Sequence, residues 1–580
     1  MGVSVVAQLT LSVGKDNFRK LRENGDYYID KTLMIKDFLT YKNEVALITR
    51  PRRFGKTLNM TMLREFFDIT KDSRAIFEGL AIMETEYADQ LNSKPVIYLT
   101  FKNCSGANID DLKDSMAHQM LKEYIRFFKE FRGKVDEDDI DYFAFYQTFK
   151  ALKKVLDERP QGEKEISLVD TGIFRRSLTT LIEVVNTFYE HPPILLIDEY
   201  DQPLINAHIK NFRETFSEDI YADFLGEALK GNEDLGQNLL TGIQRIAKES
   251  IFSKLNNFIV YSVTSEKYAS YFGLTESETI GALKDYGFEH SEEIRNYYDG
   301  YRFGGIEIYN PWSILSFIDT KELKPHWLHT STNKLIRELI ASAESDFKEE
   351  FEELIKDGVV DAYVNLSAAF IELETPETLW GLLVNSGYLT ITHDLGWGEY
   401  SLRIPNQEVK EEFRSIVAIY AGLGENRVRQ LFSALMKQNM DRFLKIYQKM
   451  VYDSVSYYDV KPDDDEKSPS ENSYHMLFLG MSMSMSGMYK SISNRESGDG
   501  RSDIIMESLQ PNLRPHIVIE FKQGDNLEML KHEALDQIFE KKYYAQLVGH
   551  VLCIGIAHKK KSCELVYKEI VVDEYGTILK

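Results

Sequence analysis

The sequence predicts an α/β protein in successive parts: a parallel sheet in the N-terminal half, a mainly helical middle region, then a small α/β module. Three observations lead there. Short apolar runs alternate with helical stretches from Phe18 to about Ser270, the pattern of βαβ units. From Thr275 to about Tyr447 the pattern turns mainly helical, with short strands near Tyr388–Ile391 and Tyr400–Leu402. An acidic stretch containing Pro and Ser, residues 461–470, then precedes a last segment of ordinary domain size. On this reading residues 1–274 form a first domain with a helical insertion at about 103–191, and 275–452 a middle or lid domain. Residues 453–470 form a linker, and 471–580 the C-terminal module.

The composition narrows the class. A chain of 580 residues, 43% hydrophobic and 28% charged, can build several cores. A formal net charge of −23 argues against a surface coated for nonspecific nucleic-acid binding, so any such contact is confined to a groove. Three cysteines, Cys104, Cys553 and Cys563, make neither a disulfide framework nor a four-cysteine zinc site. No apolar run has the length of a membrane span, and the first residues lack the basic start and apolar core of a signal peptide. The expectation is a soluble, cytoplasmic protein with no membrane partner.

The first element in order is also the most informative. Val45–Thr49 reads as a buried strand, Arg50-Pro51-Arg52-Arg53-Phe54-Gly55 as a tight loop, and Lys56-Thr57 as the opening of an amphipathic helix. Loop N–H groups and a helix N-terminus suit phosphate, a Lys reaches the β/γ oxygens, and a Thr hydroxyl suits Mg²⁺. Arg50 stands where the usual G-x-x-x-x-G-K-[ST] pattern has its first Gly. Arg52 and Arg53 stand either to neutralise phosphate or to pair with an acidic segment downstream. Tyr27–Thr32, nearer the start, is a candidate lining for a base.

Val96–Phe101 is the next strand, and the long stretch after it is helical. Ile194–Ile197 is a continuous apolar run that suits a strand covered on both faces, and it ends in Asp198-Glu199. Acids at a carboxyl strand end lie where open α/β sheets bind ligands. Asp198 is the candidate for the Mg²⁺ shell and Glu199 for polarising the attacking water. Asn238–Ile243 and Phe258–Val263 complete the strands. Thr241 is either a sensor of the γ-phosphate or a helix cap, and Arg245 either a cis arginine finger or a surface residue.

In the C-terminal module, Arg501–Met506 reads as a strand carrying Asp503, and Ile517–Lys522 as its neighbour. Strand alternation puts Glu520 and Lys522 on one face. An Asp with Glu-x-Lys on the next strand suits a metal-dependent nuclease: the carboxylates hold Mg²⁺, and the Lys orients the nucleophile or stabilises charge. The plainer alternative is a hairpin whose charges face solvent. Glu471 upstream is a further metal-ligand candidate, and Gln537 downstream a candidate contact to the metal water or the nucleic-acid backbone. His558-Lys559-Lys560-Lys561 is either a basic contact or a solvated turn.

Tyr28–Thr32, Thr49–Leu58 with its Arg-Pro-Arg-Arg-Phe-Gly-Lys-Thr loop, and Leu196–Asp201 resemble the bacterial AAA-ATPase-like family. So do Thr241–Ile243, Leu255–Asn257, Tyr271–Thr275, Asp299–Tyr301, Tyr309–Ser313, Ser386–Leu389 and Ile404–Asn406, so the resemblance spans nearly the whole chain. It implies a P-loop NTPase sheet and a C-terminal nuclease-like domain of the PD-(D/E)XK superfamily, and it makes Arg50 typical rather than damaging. ATP and Mg²⁺ are the implied cofactors. Arg50, Pro51, Arg52, Arg53, Phe54, Gly55, Lys56, Thr57, Asp198 and Thr241 are the implied nucleotide site, with Thr57 and Asp198 at the metal. Asp503, Glu520 and Lys522 carry the nuclease role. The expectation is an ATPase coupled to Mg²⁺-dependent cleavage of nucleic acid, DNA favoured over RNA. The alternative is an ATP-regulated switch or scaffold whose C-terminal domain binds nucleic acid or protein without cutting. A homo-oligomer is compatible with either.

Overall fold

The computed structural model describes residues 10–135, 139–156, 168–245, 258–327, 343, 347, 350–351, 353–354, 358–367, 375–411, 413, 425–458, 478, 481–482, 485, 488–493, 496–497, 500–501, 503–559 and 562–579. The chain divides into two compact units, Met1–Trp327 with Asp361–Glu408, and Leu328–Val360 with Val409–Lys580. Among the described residues no helix is long and apolar enough to cross a membrane.

The first unit is built on five parallel strands: β1 (Val45–Thr49), β2 (Val96–Thr100), β3 (Ile194–Asp198), β4 (Asn238–Gly242) and β5 (Phe258–Tyr261). Their order is β2-β3-β4-β1-β5. Every residue of β1, β3 and β4 is buried, which explains why these segments read as unbroken apolar runs. Helix α1 (Lys56–Phe67) follows β1 after the loop. The stretch expected as a helical insertion contains α2 (Ile109–Phe131), α3 (Ile140–Leu152) and α4 (Thr171–Tyr189). These helices share one core with the sheet: Met116, Phe127, Leu181 and Val185 pack with Leu47, Ile97, Leu195 and Leu240. The reason lies in α2, where Leu112, Met116, Met120, Tyr124, Phe127 and Phe131 make one buried stripe at helical spacing.

Past residue 275 the first unit continues with short strands as well as helices. β6 (Leu274–Thr275), β7 (Tyr301–Phe303) and β8 (Ile306–Tyr309) form one antiparallel sheet, and α5 (Pro311–Thr320) follows them. β9 (Val359–Tyr363), β10 (Thr390–Gly396) and β11 (Glu399–Arg403) form another, in the order β10-β11-β9.

In the second unit, helix α6 (Met440–Tyr458) runs past residue 453, where the linker was expected to begin. It belongs with the strands that follow: the Tyr447 hydroxyl meets His558 Nε2 at 3.0 Å, and Gln448 donates to the Cys563 carbonyl at 2.8 Å. Residues 459–470 of the expected linker lie outside the described residues. The strands that follow among the described residues are β12 (Tyr489–Ser493), the small pair β13 (Glu496–Ser497) and β14 (Gly500–Arg501), β15 (Ile504–Ser508), β16 (His516–Gln523), β17 (Gly549–Lys559) and β18 (Ser562–Val572). The five-stranded sheet has the order β12-β15-β16-β17-β18. β15 and β16 are antiparallel, β16 and β17 parallel, and helix α7 (Leu527–Glu540) makes the crossover between the latter two. His558 is not a basic surface residue: it is fully buried, and burial pushes its pKa down to about 3. Lys560 and Lys561 lie outside the described residues.

Candidate functional site

Loop 50–55 enters α1 through Gly55, a left-handed residue at φ 85°. Such a conformation suits Gly because it has no Cβ to clash. The first N–H groups of α1 have no partner within the helix, the usual condition of an anion-binding helix end. Strand order sets β4 between β1 and β3, so Thr241 stands between the loop and the acidic strand tip. Asp198 is fully buried there. Its Oδ2 accepts from Thr57 Oγ1 and its Oδ1 from Thr241 Oγ1, each at 2.8 Å. Burial and the neighbouring Glu199 push the Asp198 pKa up to about 6, against the two hydroxyls and Lys56. Lys56 Nζ donates to the carbonyls of Arg50 and Pro51, both at 2.9 Å. Burial lowers its pKa, opposed by Glu199, Asp201 and Asp198.

Glu199 sits at φ 52°, a conformation uncommon for a residue with a side chain. Its neighbours hold it there. Tyr200 N–H donates to the Thr241 carbonyl at 3.0 Å, and its hydroxyl to the Gln244 carbonyl at 2.7 Å. Asp201 Oδ2 accepts from the N–H groups of Ile243 (2.8 Å) and Gln244 (3.0 Å). A Cβ on Gly242 would lie 2.7 Å from Tyr200 Cε1, so only Gly lets the two strand tips approach this closely. Sequence reasoning gave Tyr200 and Asp201 no separate role; the signal available was an acid three residues past the strand end.

The loop side chains divide. Arg50, expected at the nucleotide, is fully buried, and its guanidinium donates to the carbonyls of Thr49 (2.7 Å), Tyr261 (3.0 Å) and Ser262 (2.7 Å). Burial pulls its pKa down to about 9, and it lies over the rings of Phe272 and Phe303. Its N–H is also used, donating to the Gly242 carbonyl at 3.1 Å. It ties the ends of β1, β4 and β5 together. Arg53 does not join the acidic segment. It stacks on Trp312 at 3.9 Å and donates to the carbonyls of His326 (3.0 Å) and Trp327 (3.4 Å). Phe54 is buried against Tyr301 and Phe303. Arg52 is half-buried, and its carbonyl accepts from the Trp327 indole at 3.4 Å. Pro51 lies so near Gly387 that a Cβ there would be 2.9 Å from Pro51 Cβ.

Other residues considered from the sequence are placed elsewhere. Arg245 donates to Ser367 Oγ at 3.1 Å. The Tyr27–Thr32 segment is bound into the fold: Tyr27 donates to Asp285 (2.8 Å), Lys31 to Glu278 and the Ser270 carbonyl (2.6 Å each). Glu408 had no signal in the sequence, being one Glu among many. It is fully buried, accepts from Ser313 Oγ (2.7 Å) and Trp327 N–H (2.8 Å), and burial raises its pKa to about 7.

The second site follows from one register. Ile504 pairs with Ile519, so Asp503 lies opposite Glu520. Phe521 N–H donates to Asp503 Oδ2 at 2.8 Å, and Asp503 N–H to Glu520 Oε2 at 3.2 Å. Gln537 of α7 donates to Glu520 Oε1 and to the Tyr543 hydroxyl, the latter at 3.2 Å. Glu520 is buried, whereas Asp503, Lys522 and Gln537 are half-buried. Burial raises the Asp503 pKa, against the Phe521 N–H and the charge of Lys522. Gly555 is the register partner of Glu520, and a Cβ on it would lie 2.3 Å from the Lys531 carbonyl. Its bareness lets α7 lie close and brings Gln537 to Glu520. Glu471 lies outside the described residues, and among the described residues no group of three His, Cys, Asp or Glu could hold a metal. Asp503 and Glu520 offer an oxygen-only set beside a Lys, which fits a hard divalent cation; Thr57 and Asp198 offer another.

Comparison with known proteins falls on the same two places. Residues 12–252 match the family model described as "Predicted AAA-ATPase", and residues 469–568 that of the "PD-(D/E)XK nuclease superfamily". The two matches reproduce the arrangement that the sequence resemblance implies, an ATPase-like module followed by a nuclease-like domain. A protein of Azotobacter chroococcum mcd 1, described as "Uncharacterized protein in vnfD 5'region", is 26% identical over 407 residues, 69% of this chain and 68% of its own.

Proposed function

We propose that the first unit binds and hydrolyses ATP with Mg²⁺, and that the C-terminal domain is a Mg²⁺-dependent phosphodiesterase acting on nucleic acid, DNA before RNA. The observation that carries the reading is the buried Asp198 carboxylate, held by Thr57 of the helix start and Thr241 of the next strand beside Lys56. Buried negative charge with Glu199 adjoining is unfavourable by itself, and a cation relieves it. Lys56, now on two loop carbonyls, exchanges these for phosphate oxygens. Glu199, fixed at its strand tip, orients a water and takes its proton. When bound, Mg²⁺ supplies neutralisation of phosphate charge at both sites and a more acidic water at the second. There Asp503 and Glu520 would hold the cation, Gln537 fixes the Glu520 carboxylate, and Lys522 would stabilise charge on the cleaved phosphate.

The test is one assay on plasmid, linear and single-stranded substrates, with metal and nucleotide varied, beside Lys56→Ala and Lys522→Ala. Nucleotide turnover lost only in the first variant, and cleavage lost in the second, support the reading. A wild type that turns over ATP yet cuts nothing under any metal supports the switch or scaffold instead.

A further inference from the structure

The chain passes between its two units at three points, and two of these directly follow residues tied to the phosphate loop: Trp327/Leu328 and Glu408/Val409. Arg53, itself left-handed at φ 67°, donates to the Trp327 carbonyl at 3.4 Å and the His326 carbonyl at 3.0 Å. The Trp327 indole returns a bond to the Arg52 carbonyl at 3.4 Å. Trp327 N–H donates to Glu408 Oε1 at 2.8 Å, and Ser313 Oγ donates to Glu408 Oε2 at 2.7 Å. Trp312, under the Arg53 guanidinium, donates to the His326 carbonyl at 3.0 Å. One loop arginine and the last residues of two departing segments therefore share a closed bonding network within the first unit.

Two features separate this network from ordinary packing. Arg53 holds an uncommon backbone conformation in the loop that would receive phosphate, yet spends its guanidinium away from the acidic strand. Glu408 is a fully buried carboxylate, a costly choice best repaid when it specifies one arrangement over another. The loop also has little slack: Pro51 abuts Gly387, and Phe54 is wedged against Tyr301 and Phe303. Packed contacts of this kind tend to switch between discrete arrangements rather than deform smoothly.

Resting on the nucleotide reading above, we propose that Arg53, Trp327 and Glu408 form a relay through which occupancy of the phosphate loop regulates the second unit. Phosphate that draws Lys56 off the Arg50 and Pro51 carbonyls resets the loop, and Arg53 passes the change to the chain entering at Leu328 and Val409. A ligand shifts such an equilibrium only through different contacts in the two states, and the Lys56 exchange supplies that difference.

Hydrogen–deuterium exchange of the full chain, with and without ATPγS and Mg²⁺, tests this. In the wild type, nucleotide protects peptides covering 50–57 and changes exchange within 409–580. Glu408→Gln keeps its shape and should retain the loop protection while losing the change in 409–580; Arg53→Lys, which removes the fork and the ring stacking, should lose that change too. An undiminished response of 409–580 in both variants overturns the relay, as does a wild-type response confined to the loop. Loss of loop protection in Glu408→Gln makes Glu408 a packing residue and overturns it as well. No loop protection in the wild type removes the nucleotide reading and the relay together.

Discussion

The two acidic sites are built by opposite means. Asp198 stands at the tip of a central parallel strand, wholly buried, with both oxygens taken by hydroxyls from two other elements. Asp503 and Glu520 face each other across an antiparallel pair, one half-buried and one buried, with a backbone N–H and a glutamine as partners. The first arrangement needs two strand tips, a helix start and a strained Glu199 to agree. The second needs one register and one close helix. A site assembled from many elements is specific but sensitive to small shifts; a site inherited from a register survives them unless the register or the helix moves. The largest expected effects test whether the sites are independent. Lys56→Ala should lower ATP turnover by about 10²–10³-fold, and Lys522→Ala should lower cleavage by a similar factor. ATP turnover in Lys522→Ala should stay within about twofold of wild type if the two sites are independent. A matching loss of turnover there would mean that the two sites act as one.

Next in size is a conflict between stability and function at Asp198. Its folded pKa of about 6 lies above the ordinary 3.8, so the folded state holds the proton more tightly. The stability contributed by this group is therefore full below about pH 4 and falls as pH rises toward 6. Asp198→Asn removes that loss. Thermal melts should show the variant more stable than wild type at pH 8, by roughly 1–3 kcal/mol, with the difference gone near pH 4. MgATP should raise the melting temperature of the wild type only. A variant that melts lower at pH 8 would mean that the buried charge already contributes to stability without a cation.

Much of this was legible beforehand, and the reason differs by residue. β1, β3 and β4 were readable because strands buried on both faces must be apolar throughout, so Val45–Thr49 and Ile194–Asp198 stand out from their neighbours. Alternation put Glu520 and Lys522 on one face, but the placement of Asp503 opposite Glu520 comes from the strand register, which alternation alone does not fix. The direction of the loop arginines was not readable either. Arg50 and Arg53 are drawn to carbonyls and rings from residues 261–327, partners far off in sequence that local pattern cannot supply. The same holds for α2, α3 and α4: the stretch reads as helical, but not as helices whose covered surface is this sheet. Glu408 was invisible because only tertiary packing makes one glutamate buried.

A third effect probes the helix side of the second site alone. In Gly555→Ala the new methyl would meet the Lys531 carbonyl at 2.3 Å and the Leu535 N–H at 2.6 Å. Both are backbone atoms, so α7 must shift, at a cost of about 1–3 kcal/mol. Gln537 moves with it, and cleavage should fall while ATP turnover does not. If chemical denaturation finds Gly555→Ala as stable as wild type, the close approach of α7 is not what sets the site.

The smallest effect sharpens the comparison most, because it asks whether the second pair takes a cation at all. Gln537 donates to Glu520 Oε1, so Gln537→Glu sets a third carboxylate against Glu520 and Asp503. Without metal, like charges this close disfavour ionisation of the group and should cost about 0.5–1 kcal/mol, read as a lower denaturation midpoint. With Mg²⁺ the same charge becomes a ligand, and the loss should be recovered at millimolar metal. Asp198 offers the contrast: there the hydroxyls of Thr57 and Thr241 already engage one bond on each oxygen, so the carboxylate is fixed without a third acid. If Mg²⁺ leaves the Gln537→Glu midpoint unmoved, the Asp503–Glu520 pair is a structural lock between two interior strands held by the Phe521 N–H, and the two sites differ in kind rather than in construction.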